Sequence, residues 1–219
     1  MAPHVLIVGA DKGGVGKTTV SRTFVDYFET RGITVRSFDT EHPEGVLARF
    51  HPTKTKIINL EDPADQMLVF DNLNAAQVTL IDIRAGLLSK TLATLTEVGL
   101  LGGAQADRMR TSVVHVIGSN KASFDEIDKT ASALAGARHH ILLNHINKSK
   151  FAGLPDSVRD PIIVGQLNEM AADTVDRLSM GFKAFWNDEA NQSGVLRGYV
   201  DAWLNRTFKA YDDHAFNVL

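Results

Sequence analysis

The stretch GADKGGVGKTT at residues 9–19 most restricts what this chain can fold into. It follows the apolar run HVLIVG (residues 4–9) and opens a helical pattern over about residues 16–31. Gly13, Gly14 and Gly16 permit backbone dihedrals closed to other residues, so that successive N–H groups can converge on phosphate oxygens. The helix that starts beside them adds its positive end to the same point. At this spacing Lys17 reaches the β- and γ-phosphates of a nucleotide, and the Thr18 hydroxyl is placed to ligate Mg²⁺. Val15 and Thr19 complete the cradle, Thr19 toward the α-phosphate. The plainer reading is a glycine-rich turn without a ligand. Seven defined positions at ~5–8% background each coincide on the order of once in 10⁸ windows.

The rest of the chain repeats the strand–helix alternation. Short β-branched runs at residues 34–38, 56–60, 78–83, 112–117, 138–144 and 161–165 read as further strands. Helices are expected at about 64–75, 87–100, 122–135, 168–180 and 194–211, and loops at 101–110 and 148–160. Strands alternating with helices predict an α/β fold: a mostly parallel, twisted sheet of about seven or eight strands, with helices on both faces. No linker, repeat or low-complexity tract breaks residues 1–219, so one nucleotide-binding domain is expected. The complete absence of cysteine excludes disulfides, thiolate metal sites and a cysteine nucleophile. No basic n-region precedes the first apolar run and no stretch has the ~18–20 apolar residues of a membrane span, so a cytoplasmic protein without membrane association is expected.

Lys12 directly precedes the glycine pair, and KGGVGKTT (residues 12–19) resembles the deviant Walker A motif of the ParA/MinD family of ATPases. The resemblance implies an ATP- and Mg²⁺-dependent switch that forms a homodimer with nucleotide sandwiched in the interface. Lys12 would there reach the partner subunit's phosphates and offset transition-state charge. It also implies a protein that stimulates hydrolysis. Within the family, the compact length is similar to short ParA-type proteins of plasmid partition, stability or conjugative mobilisation modules.

Two acidic segments lie where the family carries its switches. In SFDTEHPEG (residues 37–45), Asp39 matches the first carboxylate, near the Mg²⁺ waters. The second is Glu41, one methylene longer than the family's Asp and followed by His42 before the proline. Glu41 would orient the lytic water, in a hydrolysis that is slow or differently organised. Read without the resemblance, the same turn is a solvated loop with helix-capping carboxylates. In VTLIDIRAG (residues 78–86), Asp82 would hold Mg²⁺ through a water and Gly86 would offer its N–H to the γ-phosphate. Arg84 is open to three roles: pairing with Asp39 or Glu41, contacting a partner, or lying in solvent.

Asn144 ends the strand RHHILLN (residues 138–144), at the place where the family reads the base. Its amide can donate to and accept from the adenine edge, or it simply terminates the strand. Residues 165–169 would lie beside the base. His139 and His140 point to opposite strand faces and cannot readily share an ion, so no metal role is assigned to the histidines. The last helix carries Val195, Leu196, Tyr199, Val200, Trp203, Leu204, Phe208 and Tyr211 at helical spacing with balanced charges. That balance suits a core helix better than a membrane-surface helix. The formal charge of −3 hides a basic stretch at 84–121, where Arg84, Lys90, Arg108, Arg110 and Lys121 outnumber Glu97 and Asp107. This stretch is a candidate for non-specific DNA or an acidic partner.

Two other functions fit parts of the pattern. The loop is also similar to that of a small ATP-dependent ligase of the dethiobiotin synthetase type, against which Lys12 argues. A nucleotide-binding scaffold with negligible turnover is the other, made credible by Glu41 and Arg84.

Overall fold

The computed structural model describes residues 2–102, 108–134, 136–148 and 150–218. Its centre is a seven-stranded sheet in the order β3-β2-β4-β1-β5-β6-β7, every pairing parallel. The strands are β1 (His4–Gly9), β2 (Val35–Asp39), β3 (Thr55–Ile57), β4 (Val78–Asp82), β5 (Arg110–Ile117), β6 (Arg138–Asn144) and β7 (Ile162–Val164). The helices among the described residues are α1 (Lys17–Thr30), α2 (Val46–Phe50), α3 (Pro63–Phe70), α4 (Leu88–Glu97), α5 (Lys121–Ser132), α6 (Glu169–Arg177), α7 (Phe182–Asn187) and α8 (Gly194–Asp213).

A parallel sheet must be covered on both faces, and the period of two along each strand separates the two cores. Leu6 and Val8 of β1 join Phe24, Phe28, Leu204, Phe208 and Tyr211 on the face covered by α1 and α8. Val5 and Ile7 join Leu88, Leu92 and Leu95 of α4 and Val69 and Phe70 of α3 on the other. A smaller cluster of Ile117, Phe124, Ile127 and Leu143 lies under α5.

Helix α8 holds α1 against the sheet through specific polar contacts. Tyr211 stacks on Phe24 with ring centroids 4.0 Å apart, its hydroxyl lies 2.7 Å from Thr23 Oγ1, and Tyr27 donates to Asp212 at 2.7 Å. The helix is a core helix as expected, but Val195 and Tyr199 of its apolar set face outward.

Several boundaries differ from the sequence expectation. The strand expected at 56–60 is three residues, Thr55–Ile57, because only these find partners on β2. The helix expected over 64–75 stops at Phe70, and Leu73–Ala75 forms a separate 3-10 turn. The helix expected at 122–135 ends at Ser132, and its last expected residue lies outside the described residues, as does the centre of the loop expected at 101–110 with Asp107. Helices α2 and α7 were not expected. The basic stretch divides between the two ends of the sheet: Arg84 follows the C-terminal end of β4, whereas Arg110 begins β5.

Candidate functional site

All strands being parallel, their C-terminal ends collect the loops of one edge, where open α/β sheets place their ligands. The 9–19 loop leaves β1 there and enters α1. Gly14 and Gly16 take φ of 75° and 81°, backbone closed to most side chains. Gly16 is the N-cap of α1 and no side chain caps the helix, so its N-terminal dipole is left for an external anion.

Three neighbours hold the loop. Asn144 Nδ2 donates to the Val15 carbonyl at 2.9 Å and lies 3.4 Å from that of Gly16. Asp11 accepts from the Ser89 backbone N–H at 3.0 Å and from the Ser89 hydroxyl, tying the loop to the first turn of α4. Glu126 of α5 accepts from the Lys12 N–H at 3.1 Å. The roles of Asp11 and Glu126 carry no sequence signal, since both are long-range contacts of ordinary acidic residues. The Lys12 side chain remains exposed at the rim.

Register brings the two expected carboxylates together. Asp39 pairs with Asp82 across β2 and β4, and Asp82 in turn with Val8 of β1. Asp82 is 4% exposed and its Oδ1 has no hydrogen-bond partner among the described residues. Burial, reinforced by the charge of Asp39, pushes its carboxyl up to about 7, while Ser21, Thr18 and Lys17 pull the other way. Lys17 is buried too, and desolvation lowers its pKa against the attraction of Asp82, Glu41 and Glu126. Thr18, Lys17 and Asp82 thus form one group around an orphaned carboxylate oxygen. That donor set suits a hard, hydrated cation such as Mg²⁺, which takes few protein ligands and keeps waters and phosphate oxygens. Among the described residues no cluster of three or more His, Cys, Asp or Glu suits a metal ion.

Asp39 is fully engaged otherwise. Its Oδ1 accepts from the Glu41 N–H at 2.9 Å, and its Oδ2 from the N–H groups of Leu47 and Ala48 at 2.6 and 3.3 Å. It supplies the cap that Gly45, the N-cap residue of α2, lacks. The helix-capping role considered for this acidic turn is therefore realised by Asp39, while Glu41 stays half-buried with its charge facing Lys17. Gly86 is also engaged: with φ 82° it donates its N–H to the Ala10 carbonyl at 3.2 Å. Arg84 is exposed, and its N–H binds Thr40 Oγ1.

Beside the loop, a cleft of 250 Å³ is lined by Thr19, Asn144, Gly165, Gln166, Leu167 and Trp203, among others. Residues 165–167, part of the segment expected beside a base, line this cleft. Trp203 fixes this segment by donating to the Gly165 carbonyl at 2.5 Å.

No family model matches the chain. The chain aligns over 98–99% of both partners with MinD, the septum site-determining protein of Pyrococcus horikoshii OT3 complexed with Mg-ADP, at TM-score 0.63 and 16% identity. The fold is that of MinD. A putative plasmid partition protein of Borrelia burgdorferi B31 bound to AMPPNP shares it at TM-score 0.58 and 12% identity, over 98% of this chain and 100% of that one. So does a ParA family ATPase of Chlorobium tepidum TLS, at 0.55 and 16% identity, over 93% and 98%. In sequence, 75 residues are 40% identical to Protein MobD of Acidithiobacillus ferrooxidans. That match spans 33% of each chain. The fold gathers the 9–19 loop, both carboxylates and this cleft at the C-terminal edge of the sheet.

Proposed function

We propose that the protein is a ParA/MinD-type ATPase that binds ATP and Mg²⁺ at the C-terminal edge of the sheet and switches between nucleotide states. The observation that carries this reading is the convergence of Lys17, Thr18 and the Asp82 Oδ1, which has no hydrogen-bond partner among the described residues, at the start of α1. The loop amides and Lys17 would hold the phosphates, the cleft beside Thr19 and Asn144 the base, and Thr18 and Asp82 the hydrated Mg²⁺. A cation bound there supplies charge neutralisation for phosphoryl transfer. Glu41, whose carboxylate is not consumed by a helix cap as that of Asp39 is, would orient the attacking water. Lys12, exposed at the rim, would act in a second copy across an ATP-dependent homodimer.

A partner-stimulated role in plasmid partition, stability or mobilisation is the process this reading fits, supported by the MobD stretch and the partition-protein likeness. Turnover by the wild type, Lys12→Ala and Lys17→Ala, with and without DNA, tests it. Lys17→Ala should lose on the order of 10²-fold or more in turnover. Lys12→Ala should bind nucleotide but fail to dimerise and hydrolyse. Wild-type hydrolysis and dimerisation by Lys12→Ala would overturn the dimer role of Lys12.

The full engagement of Asp39 and Gly86 favours one second reading, a nucleotide-binding scaffold. It predicts ATP binding with no turnover above background under any of these conditions.

A further inference from the structure

The end of the sheet opposite the 9–19 loop gathers a group of arginine and histidine side chains. His4 pairs with Arg110 across β1 and β5, and Ser112 with Arg138 across β5 and β6, with His140 two residues further along β6. These even-numbered positions share the face on which Leu6, Val8, Val114 and Leu142 pack under α1 and α8. After α8 the chain turns through Ala215, at φ 61°, and brings Phe216 to 4.7 Å from the His140 ring. The returning segment and the strand starts enclose a cavity of 200 Å³.

Among the described residues the lining contains His4, Arg110, Arg138, His140 and His214 and no Asp or Glu, and outside it His214 Nε2 lies 3.7 Å from the Asp160 carboxylate. Arg110 and Arg138 are exposed at its mouth, and neither has a carboxylate within 4.0 Å among the described residues. His4 is 4% exposed; its Nε2 meets Ser112 Oγ at 3.0 Å, and its Nδ1 has no partner among the described residues. A buried polar nitrogen without a partner is uncommon and points to a missing ligand or water.

We propose that this cavity binds a small phosphate-class anion, a phosphoryl group carrying at most a small organic substituent, at a site distinct from the 9–19 loop. Two guanidinium groups at the start of adjacent strands match phosphate oxygens through paired N–H donors. The apolar lining from Met109 and Phe216 accepts a small organic part, and the volume is below the ~300 Å³ at which drug-sized pockets begin. The electrostatics agree with this geometry. Burial, followed by the charges of Arg110, His140 and Arg138, lowers His4 to about 4, and burial with His214 and Arg138 does the same to His140. A bound anion would offset the cationic part of that field.

The test is calorimetric titration of the 219-residue Lys17→Ala chain, in which phosphate binding at the 9–19 loop is weakened, with inorganic phosphate and with ethyl phosphate. One saturable site is expected for each. The Arg110→Gln/Arg138→Gln double substitution in the same background should weaken it by about ten-fold or more. The two arginines are exposed, so the double variant should keep the thermal midpoint of its parent. With Lys17 restored it should keep wild-type ATP binding, which separates this site from the nucleotide site. The proposal is overturned by no saturable binding, or by undiminished binding in the double variant. It is equally overturned if a short DNA duplex binds through the same arginines and phosphate fails to displace it, since the basic face would then be a backbone contact without a pocket ligand.

Discussion

The Thr40 hydroxyl accepts the backbone N–H of Arg84 at 2.7 Å. The same hydroxyl lies 3.1 Å from the Asp82 carbonyl, to which it donates, and the Thr40 N–H meets that carbonyl at 3.0 Å. One side chain therefore joins the loop after β2 to the loop after β4, the two segments that bear Glu41 and Gly86. Thr40→Val keeps the shape and removes both hydroxyl bonds. It should destabilise the protein by about 1 kcal/mol and accelerate amide exchange at Arg84, measured by hydrogen exchange with mass spectrometry, while exchange in α1 stays unchanged.

Asp82 should make stability depend on pH. Its folded pKa of about 7 lies above the ordinary carboxylate value of 3.8. Between those values the folded state binds more protons than the unfolded state, so stability falls as pH rises through that window and levels off above it. Asp82→Asn removes the slope. Thermal midpoints measured without nucleotide at pH 5 and pH 8 should show the variant gaining on the wild type at the higher pH. Added Mg²⁺ and ATP should narrow the gap by stabilising only the wild type.

Replacing Asp39 with Ala would strand the N–H groups of Glu41, Leu47 and Ala48. The expected cost is about 1–3 kcal/mol, read as a lower urea midpoint. Asp39→Asn retains one acceptor oxygen and should recover part of the loss. An unchanged midpoint in Asp39→Ala would show that α2 does not depend on this cap.

Gly16→Ala places a methyl against the Asn144 amide at a φ of 81°. The loop must then distort at the N-terminus of α1, and ATP affinity should fall by about ten-fold or more, against about 1–2 kcal/mol of lost stability. Asn144→Ala leaves the backbone intact and frees the Val15 carbonyl, so it should cost less. Fluorescent-nucleotide titration of both variants orders the two effects.

The 9–19 loop and most strands were legible because their signals are local: glycine spacing in the first case, β-branched runs bounded by polar residues in the second. Asp39 lies at the C-terminal edge of the sheet beside Asp82, yet its cap on α2 depends on a chain reversal eight residues long that no periodicity announces. Helices α2 and α7, of five and six residues, are too short to show a 3.6-residue period and exist by tertiary contact. Arg22 illustrates this, lying between the rings of Phe50 and Phe182 at 3.4 and 4.0 Å. For Asn144 the sequence leaves open a base contact, implied by the family resemblance, and a plain strand end. In the structure its amide Nδ2 donates to the loop backbone, a pairing that only the closeness of β6 to β1 through β5 creates.

The clamp of α8 on α1 bears on which parts of the molecule could respond to a nucleotide under the proposed function. Tilting α1 would break the Thr23–Tyr211 and Tyr27–Asp212 bonds and unstack Phe24 from Tyr211 in one motion. The helix that begins with Lys17 is thus a fixed part of the scaffold. Under the proposed function, the short segments joined by Thr40, rather than α1, would carry any change set by the nucleotide.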